Sequence, residues 1–205
     1  MEKNNIYETT QRNKKQFNSI VLYMGNVNQY RFPLKLFAKL LDEIKGQSAF
    51  LLVITSPTPS NFNYLHKMNA LIRKYSAEKN VLALADIVSP YEKEKILDLA
   101  DVFIFPTIGG RDVAIDPPLS VVEALVKNVY VLSSNVGSVP MMVRVANFGR
   151  SLNLFQSDKS YEVFAMGLKH ILKNEDYSGK CDKTFKELFN VKAISSQLRE
   201  AFCLQ

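Results

Sequence analysis

From Ser19 onward two kinds of segment take turns along the chain. Short runs that are apolar or β-branched at nearly every position recur at Ile20–Met24, Ala49–Ile54, Val81–Leu84, Val102–Phe105, Val129–Leu132 and, more weakly, Ser151–Leu154. Strands that do not alternate with polar residues are buried on both faces, which implies a parallel sheet with helices on each side. Between these runs the apolar positions fall at helical period. Leu34, Phe37, Leu41 and Ile44 form one stripe, opened by Pro33 and closed by Gly46; Leu65, Met68, Ile72 and Tyr75 form the next. Ser89-Pro90-Tyr91-Glu92 has the form of a capping box with proline at the first helical position, and predicts a helix running to about Ala100. A further helix is predicted over Ser120–Lys127, with Asn128 at the left-handed position that ends it. Strand–helix repeats of about 25–30 residues build a doubly wound, Rossmann-like α/β fold, a parallel sheet of about six strands with helices on both faces.

The two ends depart from this alternation. Residues 1–18 are polar and charged and read as a leader, disordered or draped over the surface. After Leu154 the pattern is purely helical: Tyr161, Phe164, Leu168 and Ile171 make one stripe, and Ile194, Leu198 and Phe202, with Asn190 as cap, make a helical C-terminal tail. Residues 19–205 therefore form one domain, large enough to bury a core without a metal or disulfide staple.

Composition removes several classes. Cys181 and Cys203 stand outside any CxxC pattern, so two free thiols in a reducing, cytoplasmic compartment are expected, and a zinc site is not. Met1 to Gln16 lacks the apolar stretch of a signal peptide, and no apolar run approaches the roughly 18 residues of a membrane span. The net charge of +6 suits an anionic partner: a nucleotide phosphate, nucleic acid or a lipid headgroup. No nucleic-acid-binding motif accompanies the charge, so nucleic acid is not an expected partner. A peripheral contact with a membrane surface stays open, although no amphipathic anchor stands out. His66 and His170 fall within predicted helices, have no carboxylate or cysteine at ligand spacing, and read as surface or packed residues.

In open α/β sheets ligands bind beyond the carboxyl ends of the strands, so the loops that follow them are the places to search. Tyr23-Met24-Gly25-Asn26 ends the first strand; Gly25 is either a turn glycine or a point where backbone approaches a ligand. Thr55 to Asn61 is a hydroxyl-rich loop after the second strand, and by composition alone only a loop. The richest stretch runs from Phe105-Pro106-Thr107 to Asp116-Pro117-Pro118-Leu119-Ser120-Val121-Val122-Glu123, where a helix opens directly after a strand-end loop. Its amino end suits phosphates, and Glu123, one turn inside, suits the hydroxyls of a ribose; Asp116 and Glu123 are otherwise an ordinary surface pair.

These loops, in this order, carry a resemblance. The chain resembles the C-terminal, donor-binding domain of retaining glycosyltransferases of GT-B fold, the glycosyl transferases group 1 family. The family opens on a strand ending in Gly-Arg with a Lys six positions after the Gly; here Val21 to Asn26 ends the strand and Arg31 stands six positions after Gly25. Asn80-Val81, then Ala100-Asp101-Val102-Phe103-Ile104-Phe105-Pro106-Thr107, then Leu119 to Leu125, Asn128 to Ser134 and Val136-Gly137-Ser138-Val139-Pro140 follow the family's later motifs in order. The closing stretch Phe189 to Phe202 is similar to its final helix.

What the resemblance implies is a hexosyltransferase, or its donor-binding part, that takes a nucleotide-diphosphate sugar as substrate and needs no metal or other cofactor. Gly25 and Asn26 would lie against the diphosphate, Arg31 would neutralise it and the charge of the leaving nucleotide, and amides of Leu119 and Ser120 would contact phosphate. Glu123 would hold the ribose. Thr55, with the backbone of Ala85 to Ile87, would border the base. Three departures stand out. Ile115 occupies the position of the family's other acidic residue, with Asp116 adjacent as its substitute in a loop longer than the usual spacing. Asn26 replaces the arginine, and Arg31, a bidentate donor, replaces the lysine. The third is the absence of an N-terminal domain of comparable size, which would supply acceptor binding, so a partner domain or subunit is expected. The rival reading is a non-catalytic nucleotide or nucleotide-sugar binding module descended from such an enzyme; an excised piece of a longer enzyme is a further possibility.

Overall fold

The computed structural model describes residues 5–108 and 118–189. Six strands, β1 (Ser19–Met24), β2 (Ala49–Thr55), β3 (Val81–Ala85), β4 (Val102–Phe105), β5 (Tyr130–Ser134) and β6 (Gly149–Leu152), form one sheet in the order β3-β2-β1-β4-β5-β6. Every pairing is parallel, as the uniformly apolar runs require. The order reverses between β1 and β4, and this reversal opens a crevice beyond their carboxyl ends.

Eight α-helices accompany the strands among the described residues: α1 (Ile6–Gln16), α2 (Leu34–Lys45), α3 (Pro59–Lys74), α4 (Pro90–Leu99), α5 (Leu119–Val126), α6 (Val139–Ala146), α7 (Asp158–Asn174) and α8 (Lys183–Leu188). Successive strand residues point to opposite faces, so Val21, Leu51 and Val53 join one core with α2, α3 and α7. Leu22, Phe50 and Leu52 join the other with α1, α4, α5, α6 and α8. The predicted stripes are the buried faces: Phe37, Leu41 and Ile44 of α2 and Phe164, Leu168 and Ile171 of α7 are all 0% exposed. Ser89 caps α4 by accepting from the Glu92 amide at 3.2 Å. Asn128 adopts the left-handed conformation at φ 59°, and its side-chain oxygen also accepts from the Cys181 amide and Lys186, tying α8 down. Cys181 is a free, buried thiol, which burial pushes above its ordinary pKa.

Two expectations change. The polar leader is a helix. Asn5 caps α1 by accepting from the Glu8 amide, Ile6 and Thr10 are buried, the Phe17 ring packs 5.6 Å from that of Phe50, and Lys14 pairs with Asp101. The same Asp101 oxygen accepts from the buried Ile20 amide at 2.7 Å, which fixes α1 to the start of β1. A helix with so few apolar positions is stabilised by tertiary contact, and periodicity alone does not reveal it. Secondly, β6 starts at Gly149, earlier than the predicted Ser151. It is the edge strand, and its glycine is required by the close approach of β5: a Cβ there would lie 2.5 Å from the Val131 carbonyl oxygen. The segment around Met141 and Met142 forms the two-turn α6, with Met142 buried and Asn147 ending it in the left-handed conformation. The predicted tail helix with Ile194, Leu198 and Phe202, and Cys203 with it, lies outside the described residues. Among the described residues no helix is long and apolar enough to cross a membrane.

Candidate functional site

At the switch point the chain leaves β1 through Gly25, whose φ of 156° is rarely adopted by residues with a side chain. Its amide donates to the Ile54 carbonyl at 3.1 Å, so the turn is pinned to β2. The buried Tyr23 hydroxyl donates to the Asn26 carbonyl at 2.6 Å. Burial pushes this phenol well above its ordinary pKa, with the nearby Arg31 cation pulling weakly the other way, so Tyr23 stays a neutral donor. The Asn26 side chain is committed elsewhere: its oxygen accepts from the Ser56 hydroxyl at 2.7 Å and from Asn61 at 3.2 Å. Asn61, 3% exposed, also accepts from the Val27 amide. Asn26 therefore braces the loops after β1 and β2 against each other.

Arg31 arrives through an Asx turn in which the Asn28 side chain accepts from the Tyr30 and Arg31 amides, both at 2.9 Å. The loop after β4 is tied to the same segment by the Ile108 amide, which donates to the Tyr30 carbonyl, and by Ser134, whose hydroxyl donates to the carbonyls of Phe105 and Thr107. These ties bring Arg31, Gly25, Thr107, Leu119 and Ser120 around a pocket of about 160 Å³. Proline at 118 gives α5 no side-chain cap. The Val121 and Val122 amides both turn back to the Pro118 carbonyl, while those of Leu119 and Ser120 find no acceptor among the described residues. Arg31 has no ion-pair partner among the described residues either. Two such amides at a helix start, beside a guanidinium unpaired among the described residues, suit an anion such as a diphosphate.

A second pocket of about 380 Å³ continues from Gly25, Asn26 and Ser120 across the ends of β2 and β3, past Thr55, Asp86, Ile87, Val88 and Lys93. Thr55 is 2% exposed, and its hydroxyl has no hydrogen-bond partner among the described residues. Glu123 does not line this pocket. It faces the neighbouring groove between α4 and α5, where Oε2 lacks an ordinary hydrogen bond and pairs with the Lys93 ammonium. Lys93 stands in both places and links Glu123 to the pocket. A third pocket, of about 360 Å³, adjoins at Asp86 and Ile87 and is completed by Asn5 and Tyr7 of the N-terminal segment and by Lys95, whose ammonium lies 4.2 Å from the Tyr91 ring centre.

Of the sequence-predicted residues, the fold gathers Gly25, Asn26, Arg31, Thr55, Leu119 and Ser120 at one crevice, holds Glu123 beside it, and leaves Asp116 outside the described residues. The Lys93 side chain escaped the sequence reading, and Asp86 entered it only through the backbone of Ala85 to Ile87. Nothing in their spacing marks them, since their approach depends on how α4 crosses α5 and on the strand order. His66 and His170 are exposed on α3 and α7. No group of three or more His, Cys, Asp or Glu side chains able to hold a metal gathers among the described residues.

Neither family models nor curated protein sequences give a match to this chain. Solved structures do. The C-terminal domain of a glycosyl transferase group 1 family protein (LpcC) from Francisella tularensis aligns with a TM-score of 0.69 at 13% identity, covering 92% of this chain and 91% of its own. The fold is that of a group 1 glycosyltransferase C-terminal domain. This GT-B half also aligns with Anabaena HepE, solved with UDP and glucose, over 100% of its length at a TM-score of 0.74 and 12% identity. It aligns with sucrose-phosphate synthase of Thermosynechococcus elongatus over 91% at a TM-score of 0.68 and 21% identity. It spans 53% of the HepE chain and 46% of the synthase, about half of each.

Proposed function

We propose that this domain binds a nucleotide-diphosphate sugar in the switch-point crevice as the donor-binding half of a retaining glycosyltransferase. The observation that carries the reading is the convergence of Arg31, the Gly25 turn and the uncapped amino end of α5 on one small pocket, with a nucleoside-sized pocket running on from it. HepE, a structural neighbour, was solved with UDP and with UDP-glucose. As the glycosidic bond to the diphosphate breaks, negative charge grows on the leaving oxygen. Arg31 and the Leu119 and Ser120 amides are placed to stabilise it, and groups of this kind are each worth about 10²–10³ in rate. Glu123, paired with Lys93 in the adjoining groove, is the candidate to reach the ribose hydroxyls from beside the pocket, and Asp116 is the candidate to orient the transferred sugar. A partner domain or subunit supplies the acceptor. Leu119, 70% exposed where it lines the small pocket, suits contact with such a partner.

The commitment of Asn26 to Ser56 and Asn61 favours a second reading, a nucleotide-sugar binding module without transferase activity, because among the described residues it leaves Arg31 as the one side-chain cation lining the small pocket. Calorimetric titration with UDP, GDP, ADP and their sugar conjugates tests both. Saturable binding lost in Arg31→Ala supports the donor site; binding that survives this change overturns it. Sugar transfer on adding an acceptor-domain protein, abolished by Glu123→Ala, separates the enzyme from the module.

A further inference from the structure

We infer that the crevice selects guanosine diphosphate and its sugar conjugates, with Asp86 reading the base; the inference rests on the donor-site reading above. Neighbouring strands lie about 4.8 Å apart, so the end of β3 stands about 10 Å from the end of β1. A nucleoside diphosphate whose phosphates sit at Gly25 and the start of α5 therefore brings its ribose over Thr55 and its base to the residues after β3. Asp86 is the first of these, fixed by its amide donating to the Thr55 carbonyl at 3.0 Å. It lines the nucleoside pocket and has no cation paired with it among the described residues. Lys93, the basic side chain in that pocket, is taken by Glu123.

An ionised carboxylate only accepts hydrogen bonds. Guanine offers two donors side by side, N1–H and the exocyclic amino group, and can meet it in a bidentate pair. Uracil offers one N–H between two carbonyls that the carboxylate repels. Adenine and cytosine present their amino group beside a ring acceptor. Asp86 Oδ1 already accepts from the Ile87 amide at 2.7 Å, but each carboxylate oxygen has two lone pairs, so both oxygens remain able to accept. The same bond removes the Ile87 amide as a donor to a base carbonyl, which disfavours uracil again. Thr55, 2% exposed, lines the same pocket, and its hydroxyl has no hydrogen-bond partner among the described residues.

The test is titration of the full chain with GDP, inosine diphosphate, UDP and ADP, repeated on Asp86→Asn. Asparagine keeps the oxygen that accepts from Ile87, and far-UV circular dichroism checks that the variant folds. Inosine diphosphate lacks only the exocyclic amine. The expected result is GDP bound about 10–100-fold more tightly than the other three, with the GDP-to-inosine ratio collapsing to near one in Asp86→Asn. A GDP preference unchanged in the variant overturns Asp86 as the reader. UDP or ADP bound equally well or better overturns the guanine assignment and leaves the Arg31-dependent donor site standing. No binding of any nucleotide overturns both.

Discussion

Thr55 is 2% exposed, and among the described residues its hydroxyl has no hydrogen-bond partner. A buried hydroxyl without a partner costs about 1–3 kcal/mol, and valine has nearly the same shape without the unmet hydrogen bond. Thr55→Val is therefore expected to raise the urea midpoint of the empty protein while weakening nucleotide binding. A variant that loses stability would show instead that the hydroxyl is satisfied in solution. Asn26 and Arg31 stand in contrast. The sequence marks both as departures from the group 1 pattern, yet only their neighbours tell what each does: Asn26 is spent on Ser56 and Asn61, whereas Arg31 has no ion-pair partner among the described residues and lines the pocket. Glu123 was legible as a candidate from its place one turn into a helix. Its pairing with Lys93 was not, because that residue lies thirty positions away on another helix.

Among the elements, α5 carries the most specific expectation. Its first residue, Leu119, is 70% exposed and follows Pro118 in extended backbone, so proline fits at that position without breaking the helix or emptying the core. Leu119→Pro removes one amide proposed to meet phosphate. A hydrogen bond to a charged group contributes about 1.5–3 kcal/mol, so affinity for the nucleotide should fall about 10-fold or more while the melting temperature stays unchanged. Equal affinity would remove the helix start from the site. The elements also show where sequence periodicity succeeds. Strands and helices whose apolar residues face only the core, such as β1, β2, α2 and α7, were legible with their buried faces. The polar α1 and the edge strand β6 were not, since α1 is held by Ile6, Phe17 and the Lys14–Asp101 pair, and β6 by its fit against Val131.

For the whole molecule, burial raises the phenols of Tyr23 and Tyr64, the latter to about 12. Both donate to backbone carbonyls of the segment between β1 and α2, Tyr23 to Asn26 and Tyr64 to Phe32. A phenol raised in the folded state binds its proton more tightly there than in the unfolded chain. Its contribution is complete below the ordinary value of about 10 and is lost as pH climbs toward the folded value. Urea midpoints measured from pH 8 upward should hold level and then drop above pH 10, with ultraviolet absorbance reporting tyrosinate as unfolding proceeds; a flat profile to pH 12 would contradict the burial. The sequence by itself determined the class of fold and the loops that border the crevice, because apolar period, caps and turn residues are local signals. The tertiary structure alone decided the folding of α1 onto β1 and β2, the bracing role of Asn26, the pairing of Lys93 with Glu123 and the placing of Asp86 two strands from the Gly25 turn. Each of these depends on strand order and helix packing, which bring together residues far apart along the chain.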